Sequence, residues 1–112
     1  MKFYIDGKLV RTSKTHDYTH ALMWHDSVIS CHGSYEQAVK ALNRKIAERN
    51  YDIENNRAAI KAIDEGRTNY LWKFGRERWQ AKVSEPRENY EATIVRLKEC
   101  ITHYHVRELE AR

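Results

Sequence analysis

The sequence predicts an α+β protein, an N-terminal four-stranded antiparallel β-meander followed by two long α-helices in an antiparallel helical hairpin. Three observations carry that prediction. Asp6-Gly7 lies between two short alternating runs, the strongest short-range signal for a β-hairpin. Residues 34–65 carry apolar side chains at three-and-four spacing with a start and a stop signal at the ends. A second stripe at the same spacing begins at Tyr90. At 112 residues the chain reads as one domain: 1–33 sheet, 34–65 long helix, 66–84 connector and 85–111 second helix.

The strands come first. Lys2–Ile5 and Lys8–Thr12 flank Asp6-Gly7, whose residues suit the two left-handed positions of a type I′ turn. After a polar loop over 13–17, residues 18–24 and 28–32 form a second pair around a His25-Asp26-Ser27 turn. Four short strands in succession predict one sheet, with a face for the following helix to cover.

Ser34 with Gln37 three residues later is a capping box. Val39, Leu42, Ile46, Ile53, Ile60 and Ile63 then share one face, and Gly66 supplies a left-handed stop. In heptads, Arg49 and Asn56 fall at seam positions, so the stripe is apolar at its ends and polar in its middle. A helix of about 48 Å with so narrow an apolar face needs a partner. The stripe Tyr90, Ile94, Leu97, Ile101, Tyr104 and Ala111 supplies one within the chain. The second helix is shorter, so a second subunit is expected to complete the seam, giving a dimer or an assembly of dimers. Residues 67–83 between them fit either period, and Gly75 interrupts both. We read that stretch as a short helix or an irregular turn.

Composition excludes several classes. No run approaches the ~18 apolar residues of a membrane span and no signal-peptide pattern opens the chain, so a soluble, cytoplasmic protein is expected. Cys31 and Cys100 are far apart with no CxxC, which predicts free thiols. The histidines and cysteines offer only Cys100 and His103 on one helical face and the adjacent pair Cys31-His32, matching no zinc-finger spacing, and no metal or other cofactor is expected. Catalytic motifs are equally thin. Cys31 with His20 or His25 on a neighbouring strand is geometrically conceivable, but nothing supplies an oxyanion hole, and no phosphate-binding glycine loop exists. The chain reads as a non-enzyme.

Charge gives the best functional lead. The net +4 is concentrated between residues 67 and 88, which hold six basic against three acidic side chains, while both flanking helical segments are neutral. Tyr70, Trp72, Phe74 and Trp79 interleave there with Arg67, Lys73, Arg76, Arg78 and Lys82. Aromatic rings hold a base by stacking and guanidinium groups hold a phosphate. The candidate ligand-binding residues are therefore Phe74, Arg76, Arg78 and Trp79, joined from the second helix by Asn89, Arg96, His103 and Arg107. Their chemistry suits a small anionic nucleotide captured without bond breaking. The same rings and arginines also suit a protein–protein interface, for instance one that blocks a nuclease of a restriction or CRISPR system. Direct nucleic-acid binding ranks third at so modest a net charge.

Tyr18-Thr19-His20-Ala21-Leu22 through Cys31-His32-Gly33-Ser34-Tyr35-Glu36-Gln37-Ala38, a hairpin running into a capped helix, resembles a pattern in small bacteriophage proteins. With the layout of sheet and two long helices, it is similar to the phage anti-Thoeris proteins that sequester cyclic ADP-ribose-type immune signals. The resemblance implies a counter-defence sponge acting in the host cytoplasm, with its pocket at a subunit interface. It transfers no individual site residue.

Overall fold

A computed structural model describes residues 1–112. Strand β1 (Lys2–Ile5) turns into β2 (Lys8–Thr12) through Asp6 at φ 50° and Gly7 at φ 79°, both left-handed as the type I′ turn requires. β3 (His20–Trp24) and β4 (Ser27–His32) form the second hairpin, with His25 in the left-handed region at φ 52°.

These hairpins do not join into the expected meander. β2 and β3 are not neighbours, and each hairpin instead takes a third strand from the C-terminus: β7 (Tyr104–Glu108) beside β3, and β8 (Glu110–Ala111) beside β1. Both additions are antiparallel, with Leu22 opposite Val106 and Phe3 opposite Ala111. Residues 104–111, whose sequence suggests the last turns of a helix, are thus extended. The helical stripe is weak over those residues. Tyr104 and Val106 alternate with exposed His105, a strand period, and the open edges of β1 and β3 offer backbone partners that outweigh local helix propensity.

The switch between sheets occurs at Leu109, which is buried and whose N–H donates to the Thr19 carbonyl at 2.8 Å. Phe3 and Ile5 from β1, Ala21 and Met23 from β3, and Leu109 make one core, bordered by Val10, Tyr18, Val28 and Cys31. β3 is buried on both faces. Leu22 points away from that core and is also inaccessible, and His20 on the same face meets the ring of Tyr35.

Helix α1 (Tyr35–Asp64) begins and ends on the expected signals. The Ser34 hydroxyl accepts the Gln37 N–H at 3.2 Å, while the Gln37 side chain accepts the N–H of Gly33, one residue before the cap. At the far end Gly66 is at φ 71°, with Gly66 N–H to Ile63 and Arg67 N–H to Ala62, a Schellman closure. The buried face differs from the expected seam. Ala38, Ile53, Asn55, Ala59 and Ala62 are buried, whereas Val39, Ile46, Ile60 and Ile63 are only half-buried. The large β-branched side chains set the helical period, but the small ones permit close approach. Of the expected polar seam residues, Arg49 pairs with Asp52 and Asn56 donates back to the Asp52 carbonyl.

Residues gather into two compact units, 1–45 with 103–112, and 46–102, and α1 runs from the first into the second. The second unit contains the largest departure from expectation. The connector is neither a helix nor an irregular turn but a regular β-hairpin, β5 (Asn69–Phe74) and β6 (Glu77–Lys82), a sheet of two strands. Helix α2 comes next, over Arg87–Thr102, with Tyr90 and Ile94 buried. It replaces the 85–111 helix of the sequence reading. Its first turn is tied to the end of α1, where Arg87 forks onto Asp64 at 2.8 and 3.1 Å and also pairs with Glu91. Neither helix is long and apolar enough to cross a membrane.

Candidate functional site

The β5–β6 hairpin holds four of the eight candidate residues, and its strand period decides what they can do together. Gly75 at φ 56° occupies the first position of a two-residue turn, where a glycine suits a type II′ hairpin. The register pairs Phe74 with Glu77, Trp72 with Trp79 and Tyr70 with Ala81. Cross-strand partners share a face, so one face of the ribbon carries Tyr70, Trp72, Phe74 and Trp79. Trp72 and Trp79 stack with centroids 4.3 Å apart and planes at 17°, and Phe74 adjoins Trp72 on the same face.

The opposite face carries Leu71 and Lys73 with Gln80 and Arg78 opposite them, then Asn69 with Lys82. Stacking and charge, interleaved in sequence, are therefore on opposite faces. Arg78 is further committed, its guanidinium donating to the Gly75 and Glu77 carbonyls at 2.7 Å each. Arg76, in the turn, belongs to neither face and forms no ion pair.

What fixes the hairpin to its unit is a residue outside the candidate set. The Asn55 side chain donates to the Lys73 carbonyl at 2.8 Å and accepts the Lys73 N–H at 2.9 Å. It thereby imitates the edge of a neighbouring strand, and it is the buried polar residue of the structure, 4% exposed. Tyr51, one turn earlier on α1, tilts its ring against Phe74 at 5.6 Å. At the other end Val83 N–H donates to Thr68, and the Tyr90 hydroxyl accepts the Ser84 N–H. Burial raises the Tyr70 phenol above its ordinary pKa, with Tyr90 and Glu85 adding to the shift. No sequence signal distinguishes Asn55 from Asn56, since only the docked strand makes the first of them the buried one.

Much of the aromatic face remains accessible. Trp79 is 46% exposed and Phe74 39%, and Leu71 on the reverse face is 46% exposed. Asn89 and Arg96 lie exposed on α2 in the same unit, without a side-chain bond to the hairpin.

The last two candidates belong to the other unit. His103, just beyond α2, stacks on His25 at 3.8 Å, and its carbonyl accepts the His25 N–H. Arg107 on β7 forks onto Asp6 at 2.7 and 2.9 Å, and both line a cleft of about 200 Å³ together with Lys8, Met23 and Asp26. Hydrogen bonding from Arg107, then its charge, holds the Asp6 carboxyl below its ordinary range. Two of the five Arg107 N–H donors are thus already committed to Asp6.

The metal and nucleophile readings gain nothing from the geometry. No three histidine, cysteine or acidic side chains cluster as a metal site would need. Burial raises the Cys31 thiol above its ordinary pKa, opposite to the shift that activates a cysteine. No protein-family model, curated protein or solved structure matches this chain.

Proposed function

We propose that this chain is a non-catalytic binding protein that engages a protein target through the β5–β6 hairpin. The observation that supports this reading is the separation of rings and cations onto opposite faces of an accessible ribbon. A nucleotide bound by stacking on Trp79 would find Glu77, not Arg78, beside it on that face. A protein surface has no such difficulty, because accessible Trp and Phe side chains anchor interfaces and a basic reverse face adds selectivity and faster association. Blocking a host defence nuclease is one role such a surface can serve.

Capture with tagged protein, wild type against Trp79→Ser, tests the proposal. A partner retained by wild type and lost with the variant, whose far-ultraviolet circular dichroism is unchanged, is the expected result. Identical capture by both removes the hairpin from the account.

Sequestration of a small anionic nucleotide, the phage counter-defence role suggested by the resemblance, is the second reading. One observation favours it: Arg76 stands free at the turn next to the accessible ring of Phe74, so charge and stacking can meet at the hairpin tip. In this reading the rest of the charge comes from another subunit. Calorimetric titration with cyclic ADP-ribose isomers and cyclic dinucleotides separates the two readings. Heat that disappears in Arg76→Ala supports sequestration, and its absence with folded protein discards it.

A further inference from the structure

The outer edge of β6 carries unpaired backbone groups that the target reading does not use. Lys73 gives both its N–H and its carbonyl to Asn55, so these groups point away from β6. The Val83–Thr68 bond fixes the same alternation at the open end of the ribbon. In an antiparallel pair, residues facing each other alternate between bonding inward and pointing outward together. Arg78, opposite Lys73, therefore directs its own backbone groups outward, as do Gln80 and Lys82. No strand lies against them, since the sheet ends at β6. All of β6 except Ala81 is exposed. Isolated two-stranded ribbons are marginal in water, and an open edge is a template for another strand.

We infer that β6 pairs with β6 of a second copy of this chain, antiparallel about Trp79, to make a continuous four-stranded sheet. The register of β6 suits a second copy. A two-fold axis perpendicular to the sheet keeps each side chain on its face, so only pairings centred on a residue are possible. Two of these match five residues of β6. Centred on Gln80, the pairing sets Arg78 against Lys82 of the other copy, a like-charge opposition in an exposed pair. Centred on Trp79, it sets Arg78 against Gln80, Glu77 against Ala81, and Trp79 against its own counterpart, with no like charges directly opposed. The bonds then run through Arg78 and Gln80, whose N–H and carbonyl groups already point outward. Trp79 falls at a non-bonded position, where side chains approach most closely. The Trp72–Trp79 stack of each copy would extend into one row of four indoles across the sheet. The edge is used by the copy, and the ring face stays available, so this inference stands whether the face takes a protein or an anion.

Sedimentation over a concentration series tests it, using wild type, Gln80→Glu and Gln80→Lys. Residue 80 is exposed and bonds nothing across to β5, so both variants keep the hairpin, as circular dichroism will verify. Wild type is expected to pass from 13.4 kDa toward twice that mass as concentration rises. Each substitution acts twice by symmetry, opposite Arg78. Gln80→Glu should tighten the dimer and Gln80→Lys weaken it, each by about two- to thirty-fold. A folded protein that stays monomeric throughout overturns the inference. So does a dimer with equal dissociation constants in all three proteins, or one that Gln80→Glu weakens, since that result belongs to pairing about Gln80. Target capture by the ring face is a separate readout and does not enter this test.

Discussion

Two hairpins of this chain are built alike and end differently. β1–β2 and β5–β6 both turn on two residues that include a left-handed glycine, and both alternate apolar with polar side chains. In the first, Phe3 is inaccessible and Ile5 only 8% exposed. In the second, Phe74 and Trp79 stay accessible despite their large rings. Sequence alternation is therefore not what buries a hairpin. β1 gains β8 as a third strand and shares a core with Ala21 and Met23 of β3, while β5 gains no strand, only the Asn55 side chain at its edge and the Tyr51 ring against Phe74, and no strand joins β6. An alternating ribbon becomes core when another layer covers it and a surface when none does.

The largest effect is expected at the buried hairpin. Phe3→Ala is expected to cost about 3–5 kcal/mol in denaturant unfolding, because the ring leaves a cavity among packed neighbours. Asn55→Leu attacks the support of the other hairpin. It strands the Lys73 N–H and carbonyl and should cost about 1–3 kcal/mol, with a loss of the near-ultraviolet signal of the Trp72–Trp79 stack that Phe3→Ala does not reproduce at equal fraction folded. Gly75→Ala forces a side chain into the left-handed region and should cost about 1–2 kcal/mol by the same unfolding measurement. Trp79→Ser removes a half-exposed partner from the stack and should cost about 0.5–1.5 kcal/mol. Its effect on binding is expected to be far larger, the reverse of the pattern at Phe3.

The smallest effect comes from acid. Arg107 by hydrogen bond and charge holds the Asp6 carboxyl below its ordinary range, and hydrogen bonding from Arg87 does the same for Asp64. A carboxyl depressed on folding stabilises the protein above its unfolded pKa, about 3.9, and loses that contribution as pH falls through the folded value. Wild type should hold a slight advantage over Asp6→Asn and over Asp64→Asn at neutral pH that fades below about pH 4. Both carboxylates are exposed, so the advantage is small, and melting curves across the acid range will read it.

Local signals are legible where chemistry is local. Asp6-Gly7, Ser34 with Gln37, and Gly66 each fix a backbone geometry within a few residues, and the structure uses all of them. Two kinds of element are not readable this way. The strands over 104–111 depend on edges supplied by β1 and β3 at the far end of the chain, so helical spacing at Ile101 and Tyr104 points to a helix where extended backbone forms. The hairpin at 69–82 is legible in part: Tyr70, Trp72 and Phe74 alternate, and Gly75-Arg76 is a turn pair. Taken as a break in a helical pattern, Gly75 hides the turn that organises a strand pattern. The candidate site shares that fate. Its rings and cations are plain in the sequence, but only the strand period reveals that Trp79 and Arg78 point to opposite sides.

Residue-resolved amide exchange along β6, monitored from dilute to concentrated protein, tests whether the ribbon is accessible with a free edge. Trp79 and Ala81, bonded to β5, should be protected at every concentration, Arg78 and Gln80 should exchange fast when dilute and slow as concentration rises, and Lys82, outside the paired stretch, should stay fast throughout. Uniform protection of all five amides in dilute protein, or fast exchange of all five, would contradict it.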